Sequence, residues 1–154
     1  MSASGLTRRR WLGAAATVAA MPASGVAGAS EGAPIVQPRD PSPAAFVARA
    51  FELRRLAEAA GDQPYGAVVV KDGRIVGQAP SRVVAAGDPT AHAETEAIRD
   101  AARRLGTRNL SGSTLYSSAR PCAMCEAAAY WAGIGGMIHG AGLSDAGPPR
   151  LGRC

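Results

Sequence analysis

Two short stretches of this chain have to meet. Asp88-Pro89-Thr90-Ala91-His92-Ala93-Glu94 and Arg120-Pro121-Cys122-Ala123-Met124-Cys125-Glu126 each open a helix-spaced run. Cys122 and Cys125 are three residues apart, so on a helical turn both thiols can face one point. A helix N-terminus lowers thiol pKa values and favours the thiolate form that binds metal. Zinc takes four ligands from sulfur and nitrogen, and a catalytic site keeps one position for water. His92 with the two cysteines makes three ligands and leaves that position open, while Glu94 stands close enough to reach the water without being a ligand. Two other readings compete. The cysteine pair alone could be a redox pair, but such a pair needs no His-Ala-Glu upstream. A closed structural zinc site needs a fourth protein ligand, and Cys154 is the candidate.

The surrounding pattern supplies the scaffold. From Ala44 to Ala60, Phe46, Val47, Ala50, Leu53, Ala57 and Ala60 recur at helical steps, with Ser42 as cap, Pro43 at the first position and Gly61 as stop. Tyr65 to Val70 is a β-branched run, Lys71-Asp72-Gly73-Arg74 turns, and Ile75 to Gln78 runs back, the pattern of a hairpin. A helix over Ala91–Leu105, a strand over Thr114–Ser118, a helix over Cys122–Ile134 and a strand over Met137–Gly140 follow. This alternation predicts one α/β domain: a three-layer α/β/α sandwich around a mixed sheet of four to five strands.

Charge narrows the partners. The formal charge of +5 invites a nucleic-acid reading, but residues 1–29 hold Arg8, Arg9 and Arg10 and no acid. Without them fourteen basic residues face twelve acidic ones, an ordinary surface balance that disfavours nucleic acid. Arg99, Arg103, Arg104 and Arg108 read as a solvated helix face, and His139 as a histidine packed at the sheet edge. Arg8-Arg9-Arg10 precede an apolar run from Trp11 to Met21, and Ala27-Gly28-Ala29 fits a cleavage site before Ser30. The expectation is a twin-arginine export signal over residues 1–29, with a general secretory signal as the alternative, no membrane span after processing, and a periplasmic or extracellular destination. Residues 30–43, with four prolines, read as an extended tether, 44–142 as the domain and 143–154 as a short tail.

The sequence resembles the cytidine-deaminase-like superfamily, in its guanine deaminase and tRNA adenosine deaminase branch. The residues that carry the resemblance are Pro64-Tyr65-Gly66-Ala67-Val68-Val69-Val70, Asp88 to Glu94, Pro121-Cys122-Ala123-Met124-Cys125, Tyr130-Trp131 and Ile138-His139-Gly140-Ala141. It implies one zinc ion on His92, Cys122 and Cys125, with Glu94 as catalytic proton shuttle. It implies hydrolytic deamination of a free nucleobase or nucleoside, guanine first and cytosine or adenosine next, and pairing as a homodimer. Ala67, Ser81, Ala93 and Trp131 become candidates to touch substrate. The chain departs from the branch at Ser81, where an Asn is usual, at Arg120, where a Glu is usual, and in its short tail. Those departures keep open a catalytically idle zinc fold that binds a base.

Overall fold

The computed structural model describes residues 32–151. The export signal read on residues 1–29 and the fourth-ligand reading of Cys154 lie outside the described residues.

Helix α1 spans Pro43–Ala59, with the Ser42 hydroxyl accepting from the Ala45 amide at 3.2 Å as its N-cap. Strands β1 (Gly66–Lys71) and β2 (Arg74–Pro80) form an antiparallel hairpin. Asp72 and Gly73 both take positive φ, 49° and 72°, the two-residue turn that an Asp-Gly pair favours. One turn of helix, α2 (Val83–Ala86), precedes α3 (Ala93–Leu105). Strand β3 (Ser113–Ser117), helix α4 (Ala123–Trp131) and strand β4 (Gly136–His139) complete a parallel crossover. A last strand, β5 (Ser144–Gly147), pairs antiparallel to β4, and the sheet order is β2-β1-β3-β4-β5.

Both faces of the sheet are covered, as the unbroken apolar run of β1 requires. Val68, Val70 and Tyr116 point to one side and pack with Phe46, Val47 and Leu53 of α1. Ala67, Val69, Leu115 and Met137 point to the other and pack with Ala93, Ala97, Ile98, Ala101 and Ala129 of α3 and α4. This is the expected three-layer sandwich. Two details differ from the sequence reading. Ser144–Gly147 extend the sheet, so β4 is an internal strand and His139 does not sit at an edge. The valine pair of α2, poor in helix propensity, is held in a helical turn by a partner distant in sequence, described below.

The leading segment runs along the outer edge of β2. The Gln37 side-chain amide donates to the Ile75 carbonyl at 2.7 Å and its oxygen accepts from the Ile75 amide at 2.9 Å, in place of a neighbouring strand. Further along, Asp100 accepts from the Gln78 amide, and the Gln78 side chain donates to the Pro34 carbonyl. Among the described residues no helix is long and apolar enough to cross a membrane.

Helix α3 approaches β2 closely because Gly77 has no side chain. A Cβ there would fall 2.5 Å from the Ala101 amide nitrogen and 2.6 Å from the Ala101 Cβ, and closer still to the Ala97 carbonyl oxygen. Backbone cannot yield as a flexible side chain would. Gly77→Ala is expected to lower stability by about 2–3 kcal/mol, the cost of overpacking, read as a shifted urea midpoint.

Candidate metal centre and active site

His92 and Cys122 occupy equivalent positions. Each is the N-cap residue of its helix, α3 and α4 respectively, in extended backbone conformation and with no side-chain capping bond. An N-cap usually carries Ser, Thr, Asp or Asn, whose side chain turns back to the first-turn amides. An imidazole and a thiol here turn outward instead. Both helices therefore start one or two residues later than the sequence reading placed them. Cys125, one turn into α4, is fully buried, and Cys122 is exposed.

The donor atoms converge. Cys122 Sγ lies 3.7 Å from Cys125 Sγ and 3.7 Å from His92 Nδ1, and Cys125 Sγ lies 3.6 Å from His92 Nδ1. A tetrahedral ion with Zn–S bonds of about 2.3 Å and Zn–N of about 2.05 Å sets its sulfurs about 3.8 Å apart and sulfur from nitrogen about 3.6 Å. The three edges fit a zinc ion. A sulfur separation of 3.7 Å is far longer than the roughly 2.05 Å of a disulfide. His92, Cys122 and Cys125 are thus positioned to bind the metal, and they are the only such cluster among the described residues.

Glu94 is 5% exposed and places Oε2 at 3.6 Å from Cys125 Sγ. Burial pushes its carboxyl above the usual carboxylate range, against the lowering effects of its own amide, the Cys125 thiol and the His92 ring. A carboxyl held in this way can both take and keep a proton. Burial, followed by the charge of Glu94, also pushes the Cys125 thiol well up, and the Thr95 hydroxyl opposes them. Bound as a metal ligand, Cys125 would give up that proton and serve as the thiolate.

The four substrate candidates fall in different places. The methyl groups of Ala67 and Ala93 belong to the core beneath the site, so only their main chain can face a ligand. Ala93 opens α3, where the first amides have no partner within the helix. Ser81 is buried, and its hydroxyl donates to Asp62 Oδ1 at 2.8 Å. Trp131 is 75% exposed and meets Tyr130 edge to face at 5.5 Å. The arginines of α3 largely serve their own helix: Arg99 pairs with Glu96, and Arg103 and Arg104 with Asp100.

The sequence reading missed three supporting residues. Asp62, just past α1, accepts from the amides of Gln63, Val84 and Ala85 and from Ser81, and so caps α2 from outside. It fixes the loop from Ser81 towards His92, where the Arg82 amide donates to the Ala91 carbonyl. Ser118 Oγ accepts from the Gly66 amide and ties the loop before Cys122 to the start of β1. Thr95 Oγ1 lies 3.5 Å from Cys125 Sγ. An Asp after a helix-ending glycine, a Ser in a loop and a Thr in a helix carry no pattern that announces such partners.

Burial raises the Asp62 pKa, but the bonds from Ala85, Gln63, Ser81 and Val84 together hold it below the usual value. A depressed folded-state pKa contributes stability that is present above the unfolded value of about 3.9 and lost as pH falls through the folded one. Asp62→Asn is therefore expected to be less stable than wild type at pH 7, with the gap closing at pH 3. Urea midpoints at the two pH values check it.

The profile described as the cytidine and deoxycytidylate deaminase zinc-binding region matches residues 41–141. Guanine deaminase of Bacillus subtilis is 46% identical over 83 residues, which cover 54% of this chain and 53% of that protein. A tRNA-specific adenosine deaminase of Aquifex aeolicus is 46% identical over 78 residues, covering 51% and 47% respectively. The solved guanine deaminase of Nitrosomonas europaea superposes with a TM-score of 0.63 at 30% identity, covering 68% of this chain and 61% of that one. The chain spans about half the length of the curated relatives it matches.

Proposed function

Because the chain belongs to the cytidine and deoxycytidylate deaminase zinc-binding family, we propose that it is a hydrolytic deaminase of a free nucleobase or nucleoside, with guanine as first substrate. The observation that carries this reading is the buried Glu94 carboxyl set beside the His92–Cys122–Cys125 cluster, a proton carrier next to a metal site. Zinc, held by those three residues, supplies the Lewis acidity that makes water a nucleophile near neutral pH. Glu94 takes one proton from the attacking water at Oε2 and delivers it to a ring nitrogen; it then takes the second proton from the oxygen newly bound to carbon and passes it to the departing amine. Water adds oxygen to the carbon bearing the amino group, ammonia leaves, and the keto product remains. The raised Glu94 pKa suits a group that must hold the proton between those transfers.

Guanine is put first on the likeness of Asp88 to Glu94 and Tyr130-Trp131 to the guanine deaminase branch; the tRNA-specific adenosine deaminase of Aquifex aeolicus matches this chain at the same 46% identity as the guanine deaminase of Bacillus subtilis. Residues 30–154 carry too little excess positive charge to favour RNA. Ammonia release from guanine, adenine, cytosine and their nucleosides separates the substrates. Glu94→Gln is expected to keep zinc and lose turnover by at least about 100-fold. His92→Ala should lose both. A Glu94→Gln protein that turns over like wild type removes the assignment. The commitment of the Ser81 hydroxyl to Asp62 favours a second reading, a zinc fold that binds a base without converting it. Tight binding of one base with no ammonia from any would select that reading.

We propose also that Arg8, Arg9 and Arg10 direct export through the twin-arginine route, which carries proteins already folded. Folding with metal before export protects the two thiolates from oxidation. Replacing all three arginines by lysine should leave uncleaved, zinc-loaded protein inside the cell, seen by fractionation with a zinc assay. Normal export of the variant refutes the route.

A further inference from the structure

Thr95 sits on the face of α3 that packs inward, among Ala93, Ala97, Ile98 and Ala101. Nothing in that packing calls for a hydroxyl, since valine has the same shape and no polar atom. The residue is 8% exposed, and its Oγ1 lies 3.5 Å from the sulfur of Cys125, its one side-chain partner among the described residues. Which atom donates follows from the chemistry of the site. A cysteine that binds metal does so as the thiolate and has no proton to give. The hydroxyl must then be the donor. The same sulfur has the Glu94 carboxyl at 3.6 Å, a neighbour that repels it whenever both are ionised. Cys122 is exposed, so water can solvate its sulfur; Cys125 is fully buried and depends on protein groups.

We propose that Thr95 is a positioning residue of the metal centre: its hydroxyl donates to the Cys125 thiolate, holds that sulfur beside Glu94, and sets both the metal affinity and the donor strength of the site. This rests on the metal-site reading of His92, Cys122 and Cys125. Partners one step removed from a metal, when deleted, typically weaken its binding by about 10–100-fold. A hydrogen bond also withdraws charge from the sulfur, and that leaves a spectroscopic trace which packing alone does not produce.

The test uses the full chain loaded with cobalt(II) in one set of samples and with zinc(II) in another. In Thr95→Val the sulfur-to-cobalt charge-transfer band is expected to move to lower energy, because a thiolate without its donor gives up an electron more readily. Zinc affinity, measured against a competing chromogenic chelator, should fall by about ten-fold or more. Thr95→Ser, which keeps the hydroxyl and loses the methyl, should restore both. If the valine variant does not fold, Thr95→Ala carries the same two expectations. An unmoved band with zinc affinity within about two-fold of wild type overturns the proposal. Equal changes in the valine and serine variants also overturn it, since packing would then be the cause. A wild-type protein with no sulfur-to-cobalt band refutes the metal site itself, and this proposal with it. An intact band with no ammonia from any base strikes only the deaminase reading.

Discussion

The contact on which the site depends is made of main chain. Helix α3 lies so close to β2 that Gly77 faces the Ala97 carbonyl and the Ala101 amide with no side chain between them. Gly66 makes the equivalent approach to α1 on the other face, against the Ala50 carbonyl and the Arg54 amide. Both helices are thereby pressed onto the hairpin, and the start of α3 is fixed relative to the sheet. His92 and Glu94 inherit that placement. Dispersion attraction weakens steeply with separation, so small residues at these contacts yield more than their own surface suggests.

Helix starts do double duty here. The first amides of a helix have no partner within it and present partial positive charge. In α3 and α4 the N-cap side chains give up the usual capping bond and turn to a common point, so two such ends face one cluster. The field of such an end attracts negative charge, while burial and the charge of Glu94 push the Cys125 thiol up. Acidic residues in the first turns, Glu94 and Glu96 in α3 and Glu126 in α4, suit the same field. One of them, Glu94, is turned inward and becomes available for proton transfer.

Much of this was legible in the chain because the signals are local. Helical spacing marked α1, Asp72-Gly73 marked the hairpin, and His92, Glu94, Cys122 and Cys125 stood out by their spacing together with the family motifs they match. What escaped depends on residues far apart in sequence. Asp62 reaches Ser81, Val84 and Ala85 only once the sheet has formed, and so the helical turn α2 could not be foreseen. Ser144–Gly147 hold no β-branched or aromatic residue; they become a strand because β4 offers them an edge. The substrate contacts were the least legible. A residue type such as Ser81 or Trp131 does not reveal whether its polar group is already engaged or its ring left in solvent.

The Gln37 amide that stands in for a strand closes one side of the sheet to growth. An outer strand with open amides and carbonyls is a template onto which another chain can add. Here Ile75 and Gln78 already have partners, and the amide of Gln78 is satisfied by a charged side chain no incoming strand can imitate. On the far side β5 is four residues long and runs into Pro148 and Pro149, which have no amide hydrogen to offer. Among the described residues the sheet has five strands. An outer strand so short, and another already engaged by side chains, offer little backbone for a further chain to pair with.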